Sequence, residues 1–185
     1  MTEKQKMLEG KLYSPLDKQL TDERYQARLL FQEFNKMSDQ FKASRDKIIH
    51  QLLNVEESDL WIEPPFFCDY GYNIHLGKNV FINFNCCILD VCSVTIGDNC
   101  MLAPNVQIYT ATHPLEYKAR NSGKEFAKPI SIGNNVWIGG GAIICPGVNI
   151  GNGAVIGAGA VITKNIPDNV MAGGNPARVI KSIDN

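Results

Sequence analysis

The sequence predicts a mainly β fold, a parallel β-helix of hexapeptide coils with an N-terminal helical cap. Three observations carry this. From Ile132 to Pro167 the chain repeats every six residues, residues 1–57 hold no such repeat, and the repeat is interrupted once, over 109–129. The blocks open at Ile132, Ile138, Ile144, Ile150, Ile156 and Ile162, and Gly follows in four of the six. A fixed period of six fits neither an amphipathic helix nor an alternating strand. It is the signature of short strands joined by corners, with the opening Ile pointing inward. Gly and Asn fall where a corner needs positive φ or close backbone approach.

Residues 1–57 are charged and contain a single Gly. A helix is expected to start at Thr21 or Asp22 as N-cap, with Ala27, Leu30, Phe31 and Phe34 at helical spacing. A second helix is expected from about Ala43 to Leu53, with Ile48, Ile49, Leu52 and Leu53 on one side. The pair would cover the end of the coil stack, where apolar interior and unpaired strand edges would otherwise be exposed. Whether this segment only caps, or also brings Tyr13 or Asp17 to a substrate, is left open by the residues themselves.

Trp61 to Phe66 reads as extended, because each proline biases its predecessor away from helix. The hexads then begin at Leu76, Ile82 and Ile88. Ile96 arrives two residues late, so Asp90 to Thr95 is read as a corner with two extra residues. After Ile108 the pattern stops and resumes at Ile132, a separation of 24 and itself a multiple of six. The excursion therefore leaves the coil and returns in phase. A long polar insertion in a regular solenoid is usually functional. Val170 to Ile180 reads as a closing strand and turn.

Composition excludes several function classes. A net charge of −1 gives no electrostatic reason to expect nucleic acid or an anionic membrane as partner. No apolar run approaches the roughly 20 residues that cross a bilayer. The polar start Met-Thr-Glu-Lys-Gln-Lys is unlike a secretion signal, so a cytoplasmic protein is expected. Six cysteines, at 68, 86, 87, 92, 100 and 145, form no Cys-x-x-Cys pair and read as small apolar filler in a reducing compartment. No metal site is expected. Of the three histidines, His50 lies in the cap and His75 alternates outward between Ile74 and Leu76. His113 sits at the root of the excursion, held by Pro114, and is the candidate for acid–base work.

The hexads, Ala111-Thr112-His113-Pro114, Asn134-Asn135-Val136-Trp137-Ile138-Gly139 and Gly174-Asn175-Pro176-Ala177-Arg178 resemble the hexapeptide-repeat acetyltransferases. The resemblance extends to Gly10-Lys11-Leu12-Tyr13 at the start and covers essentially the whole chain. Within the maltose O-acetyltransferase and galactoside O-acetyltransferase branch, Cys68-Asp69-Tyr70-Gly71-Tyr72-Asn73 and Leu89-Asp90-Val91-Cys92 look more like the maltose type. The resemblance implies a left-handed β-helix, a homotrimer with active sites between neighbouring subunits, and acetyl-coenzyme A (acetyl-CoA) as donor. It implies His113 as the general base of a direct transfer to a sugar hydroxyl.

On the acceptor side it points to Asn83, whose purely structural alternative is a left-handed corner residue. It also points to Asp69, at a position held by Ser in the galactoside branch. Val91 stands where that branch has a second acceptor-binding Asp, with Asp90 one residue earlier. Asp17, Glu125 and Phe126 are further candidates to line the acceptor pocket. For the donor it points to Gly140, Ala158, Thr163, Lys164, Arg178 and Lys181. The galactoside branch carries Ser at the position of Gly140, so only a backbone N–H of Gly140 or Gly141 remains to serve an oxyanion.

The alternatives are a galactoside or antibiotic acceptor, a non-catalytic trimeric scaffold, or a γ-type carbonic anhydrase. The last needs two histidines close together in sequence and a third ligand; His75 and His113 are 38 residues apart, and nothing supplies the third.

Overall fold

A computed structural model describes residues 1–55 and 60–184 of the chain. The boundary expected between 57 and 58 lies outside the described residues. From Trp61 onward the chain winds through short parallel strands that stack into three faces. Ile132, Ile138, Ile144, Ile150, Ile156 and Ile162 all point inward and are at most 3% exposed. Strands of two residues suffice, because each needs only one inward anchor while the neighbouring coils supply its hydrogen bonds. Trp137-Ile138, for example, lies between Met101-Leu102 and Val155-Ile156.

The early coils are longer than the hexads suggest. Ile74 pairs with Val94, and Leu76 with Ile96, twenty residues on. On this face the strand is Val94–Ile96, and both Val94 and Ile96 are buried. In a three-residue strand the first and third side chains share a side. The expected corner from Asp90 to Thr95 is therefore corrected: Thr95 is in the strand, and the corner ends at Ser93.

One row of corners shows how Gly and Asn divide the work. Asp98, Asn134, Asn152 and Asp168 form a ladder, each side chain accepting the N–H of the coil before it at 2.7–2.8 Å. A Cβ on Gly97 would lie 2.4 Å from Oδ1 of Asn134, so this position takes only Gly. The positive φ falls two residues later, at Asn79, Asn99 and Asn135.

The N-terminal segment contains three helices, α1 (Glu3–Leu8), α2 (Lys18–Lys36) and α3 (Lys42–Leu53). The sequence reading missed α1, although Thr2 and Gln5 form a capping box that is legible as a Thr-x-x-Gln signature. α2 starts earlier than expected. Asp17 is its N-cap and accepts the N–H of Leu20 at 3.3 Å, while the Thr21 hydroxyl back-bonds to the Asp17 carbonyl inside the helix. Ala27 and Phe34 of α2 and Ile48, Ile49, Leu52 and Leu53 of α3 are buried against the coil core.

The excursion is ordered. Ala111-Thr112 pairs antiparallel with Phe126-Ala127, a short helix α4 (Tyr117–Asn121) sits at its tip, and Ile130–Ile132 rejoins the stack beside Val94–Ile96.

Candidate active site

His113 follows the strand Ala111-Thr112 and precedes Pro114, which restricts its backbone to extended conformations. Arg120 of α4 donates to the carbonyls of Pro114 and Leu115 at 3.2 and 2.9 Å, tying the turn to the loop tip. The imidazole is about half exposed (55%), and its Nε2 lies 3.9 Å from Oε2 of Glu125. The other carboxylate oxygen of Glu125 accepts the hydroxyl of Tyr13. Tyr13 and Glu125 also exchange backbone hydrogen bonds at 3.0 and 3.2 Å. The N-terminal segment is thus pinned to the loop that carries His113. Burial, reinforced by Glu125, pushes the Tyr13 phenol far above its ordinary value, so it stays a donor.

A cavity of about 300 Å³ opens at this point, lined by Pro15, Arg24, Arg28, Asp69, Tyr70, Leu89, Val91, Ala111, His113 and Glu125. Burial, joined by Glu125, raises the Asp69 carboxyl against the opposing pull of Arg24 and Arg28. Arg24 is committed: it donates to the Tyr70 hydroxyl at 2.6 Å and to the Pro15 carbonyl at 2.5 Å. Neither the Arg28 guanidinium nor the Asp69 carboxylate has a hydrogen-bond partner among the described residues. A second cavity of about 300 Å³ lies on the other side, lined by Thr112, His113, Leu115, Phe126, Lys128 and Pro146. His113 is the wall common to both.

Of the residues expected on the acceptor side, His113, Asp69 and Glu125 meet in one cavity. Asp17 is outside its lining and serves as the cap of α2. Asn83 is half-buried and also outside; its Oδ1 accepts the N–H of Phe84 at 2.8 Å. It is not a left-handed corner residue, because the positive φ belongs to Asn85. Val91 lines the cavity, whereas Asp90 is fully buried and its carboxylate accepts backbone N–H groups from Asp69, Tyr70 and Asn73. The sequence reading missed Arg24 and Arg28. Their signal was present, since two cations four apart on a helix share a side.

The donor-side residues lie elsewhere on the chain. Gly140 and Ala158 occupy one corner a coil apart, joined by the Gly159 N–H to the Gly140 carbonyl at 2.8 Å. The Gly141 N–H is taken by the Pro104 carbonyl at 2.9 Å. The N–H groups of Gly140 and Ala158 have no backbone acceptor among the described residues, so of the two glycines Gly140 has the open donor. Thr163 and Lys164 are exposed on the next corner. Arg178 and Lys181 are exposed on the final strand, which pairs antiparallel with Val170–Gly174.

The thiols are poor nucleophile candidates. Burial pushes Cys86 and Cys87 up to about 11, and Cys145 is raised as well. Among the described residues no three His, Cys, Asp or Glu side chains cluster to hold a metal ion.

Known proteins share this architecture. The maltose acetyltransferase hexapeptide capping motif matches residues 6–55, the hexapeptide repeat of succinyl-transferase 74–110, and the bacterial transferase hexapeptide (six repeats) 129–164. A maltose O-acetyltransferase from Clostridium difficile superimposes with a TM-score of 0.98 at 52% identity, covering 100% of this chain and 99% of that one. A galactoside acetyltransferase solved in complex with coenzyme A gives a TM-score of 0.94 at 40% identity, covering 100% and 92%. The galactoside O-acetyltransferase of Escherichia coli is 41% identical over 175 residues, 95% of this chain and 86% of its own length. Likeness that runs through cap, coils and excursion alike is shared descent, and the chain belongs to the hexapeptide-repeat acetyltransferases.

Proposed function

We propose that this protein moves the acetyl group of acetyl-CoA to a hydroxyl of a maltose- or glucose-like sugar by direct transfer. The observation that carries this is the position of His113 between two cavities. One is polar and holds Arg28 and Asp69, whose side chains have no hydrogen-bond partner among the described residues; the other is lined by Leu115, Phe126 and Pro146.

In this reading Nε2 of His113 accepts the proton of the sugar hydroxyl as its oxygen attacks the thioester carbonyl. The tetrahedral oxyanion is met by a backbone N–H, for which Gly140 is the candidate. Collapse expels the thiolate, which takes the proton from the imidazolium. The products are the acetyl ester and free coenzyme A, and no group on the enzyme is acetylated. Thr163, Lys164, Arg178 and Lys181 offer hydroxyl and cationic groups to the donor's phosphates. Related structures hold coenzyme A or acetyl-CoA, which supports the donor.

The test is thiol release from acetyl-CoA with maltose, glucose, a galactoside and chloramphenicol in parallel. Release with none of the sugars would defeat the proposal, and release with chloramphenicol alone would favour the antibiotic alternative.

The acceptor cavity is balanced in charge, with Arg24 and Arg28 against Asp69 and Glu125. That suits a neutral polyhydroxyl compound, because a guanidinium donates to hydroxyls and a carboxylate accepts from them. Arg28→Ala should raise the acceptor KM about tenfold, the worth of one hydrogen bond to a charged group, and leave kcat and the KM for acetyl-CoA in place. An unchanged acceptor KM would remove Arg28 from the site.

Assembly follows from the faces. The outward row Trp61, Phe81, Met101, Trp137, Val155 and Met171 is apolar, and so is most of Phe67, Cys87, Gln107, Ile143 and Val161. The third row, His75, Thr95, Ser131 and Asn149, is polar. Trp61, Met101 and Trp137 are each about half exposed, at 52%, 50% and 51%. A cyclic assembly needs two different complementary patches on each copy. Two apolar faces of a triangular prism supply them, which supports a homotrimer. It would also bring Asn83 and the donor residues of one copy to the His113 cavity of the next. Trp137→Glu should convert the trimer to monomers in light scattering and abolish transfer; a trimer of unchanged mass would refute this packing.

No helix among the described residues is long and apolar enough to cross a membrane. The six free cysteines fit a reducing, cytoplasmic setting.

A further inference from the structure

The carboxylate of Glu125 is held from both ends. Oε1 accepts the hydroxyl of Tyr13, and Oε2 stands 3.9 Å from Nε2 of His113. Tyr13 is fully buried, and the backbones of Tyr13 and Glu125 are hydrogen-bonded to each other. The carboxylate therefore has little freedom to turn away from the imidazole. At 3.9 Å it is too far for a direct hydrogen bond to Nε2 but close enough to act as a charge.

Resting on the reading of His113 as the base, we infer that Glu125 and Tyr13 form a positioning pair that steadies the imidazolium created during transfer, with Glu125 acting through His113. In a catalytic triad the carboxylate meets the imidazole nitrogen that does not take the proton; here Glu125 faces Nε2 itself, so it acts as a nearby charge and not as a hydrogen-bonded orienter. The proton path is unchanged by it: the hydroxyl proton goes to Nε2 of His113 and then to the departing thiolate. The Tyr13 proton stays on the phenol. The other charges facing His113 are Asp69, Arg24 and Arg28 in the acceptor cavity and Lys128 on the opposite side. Asp69 faces the two arginines, whereas Glu125 is the carboxylate 3.9 Å from Nε2.

The experiment compares wild type, Glu125→Gln, Tyr13→Phe and the double variant. Gln is isosteric and can still accept the Tyr13 hydroxyl, so the cavity keeps its shape. Glu125→Gln is expected to lower kcat about 10- to 100-fold, with both KM values within about twofold of wild type. Tyr13→Phe is expected to lower kcat less, and the double variant is expected to be no worse than Glu125→Gln alone, as for two residues acting through one contact. Independently of activity, the His113 ring signals in NMR are expected to move in Tyr13→Phe, where the carboxylate is released, as well as in Glu125→Gln. A raised acceptor KM with kcat intact would make Glu125 an acceptor ligand and overturn the inference. So would additive losses in the double variant, or His113 ring signals that stay in place in Tyr13→Phe. If wild type acetylates no acceptor, the functional reading fails, and the His113 ring signals still decide whether Glu125 and Tyr13 act on the imidazole.

Discussion

His113→Ala is expected to lower kcat about 10²–10⁴-fold, the range that general-base catalysis contributes. The KM for acetyl-CoA, the mass of the assembly and the thermal midpoint should hardly change. The imidazole is about half exposed, and truncating such a side chain rarely costs more than about 0.5 kcal/mol. Thiol release under saturating acetyl-CoA reads the first quantity, and light scattering with a melting curve reads the others. The expectation is sharp because little else in the cavity can take a proton from a sugar hydroxyl. The arginines are permanently charged. Cys86 and Cys87 lie outside the cavity lining, and burial lifts their thiols to about 11. Turnover within tenfold of wild type would sink the assignment of His113 and pass the role to Glu125 or Asp69, the two carboxylates that share its cavity.

The coils were legible from the sequence because a period of six leaves only one way to bury an Ile per block, and all six from Ile132 to Ile162 are buried. The break was legible for the same reason, and it led to His113. The two-residue delay at Ile96 was seen but misplaced. Periodicity counts residues per coil and does not say whether the extra ones sit in a corner or a strand. The wall of the cavity was illegible for a different reason. Tyr13 meets Glu125 across 112 residues, and Arg24 meets Tyr70 across 46. No local pattern encodes such contacts; they depend on how the cap is laid over the coils. Asp90 and Val91 show the same limit at one position. Alternation says that neighbours face opposite ways, but not which of the two faces the cavity and which the interior.

Asp90 carries the second large expectation, and it concerns stability. Its side chain is fully buried at the corner before Val94–Ile96. Oδ1 accepts the N–H of Asp69 at 3.0 Å and of Tyr70 at 2.9 Å, and Oδ2 accepts the N–H of Asn73 at 3.3 Å. The Asn73 side chain returns a bond to the Asp90 carbonyl at 2.7 Å. One carboxylate thus fixes the segment that presents Asp69 and Tyr70 to the cavity. Asp90→Asn replaces one acceptor by a donor that faces another donor, which costs about 1–3 kcal/mol. At this chain length that is a fall of roughly 2–12 °C in the thermal midpoint. Asp90→Ala strands all three N–H groups and should cost more.

The pH dependence has a definite sign. Burial pushes the Asp90 carboxyl up to about 7 from an ordinary value of 3.8, against the pull of its N–H donors. The folded state then binds more protons than the unfolded state between about pH 4 and 7, so this group's contribution to stability falls as pH rises through that window. Asp90→Asn has no such dependence. The difference in melting temperature between wild type and Asp90→Asn should therefore be larger at pH 5 than at pH 8. A difference that stays flat between pH 5 and pH 8 would mean that the three N–H donors outweigh burial and keep Asp90 ionised throughout. The acceptor cavity would then rest on a permanent buried charge.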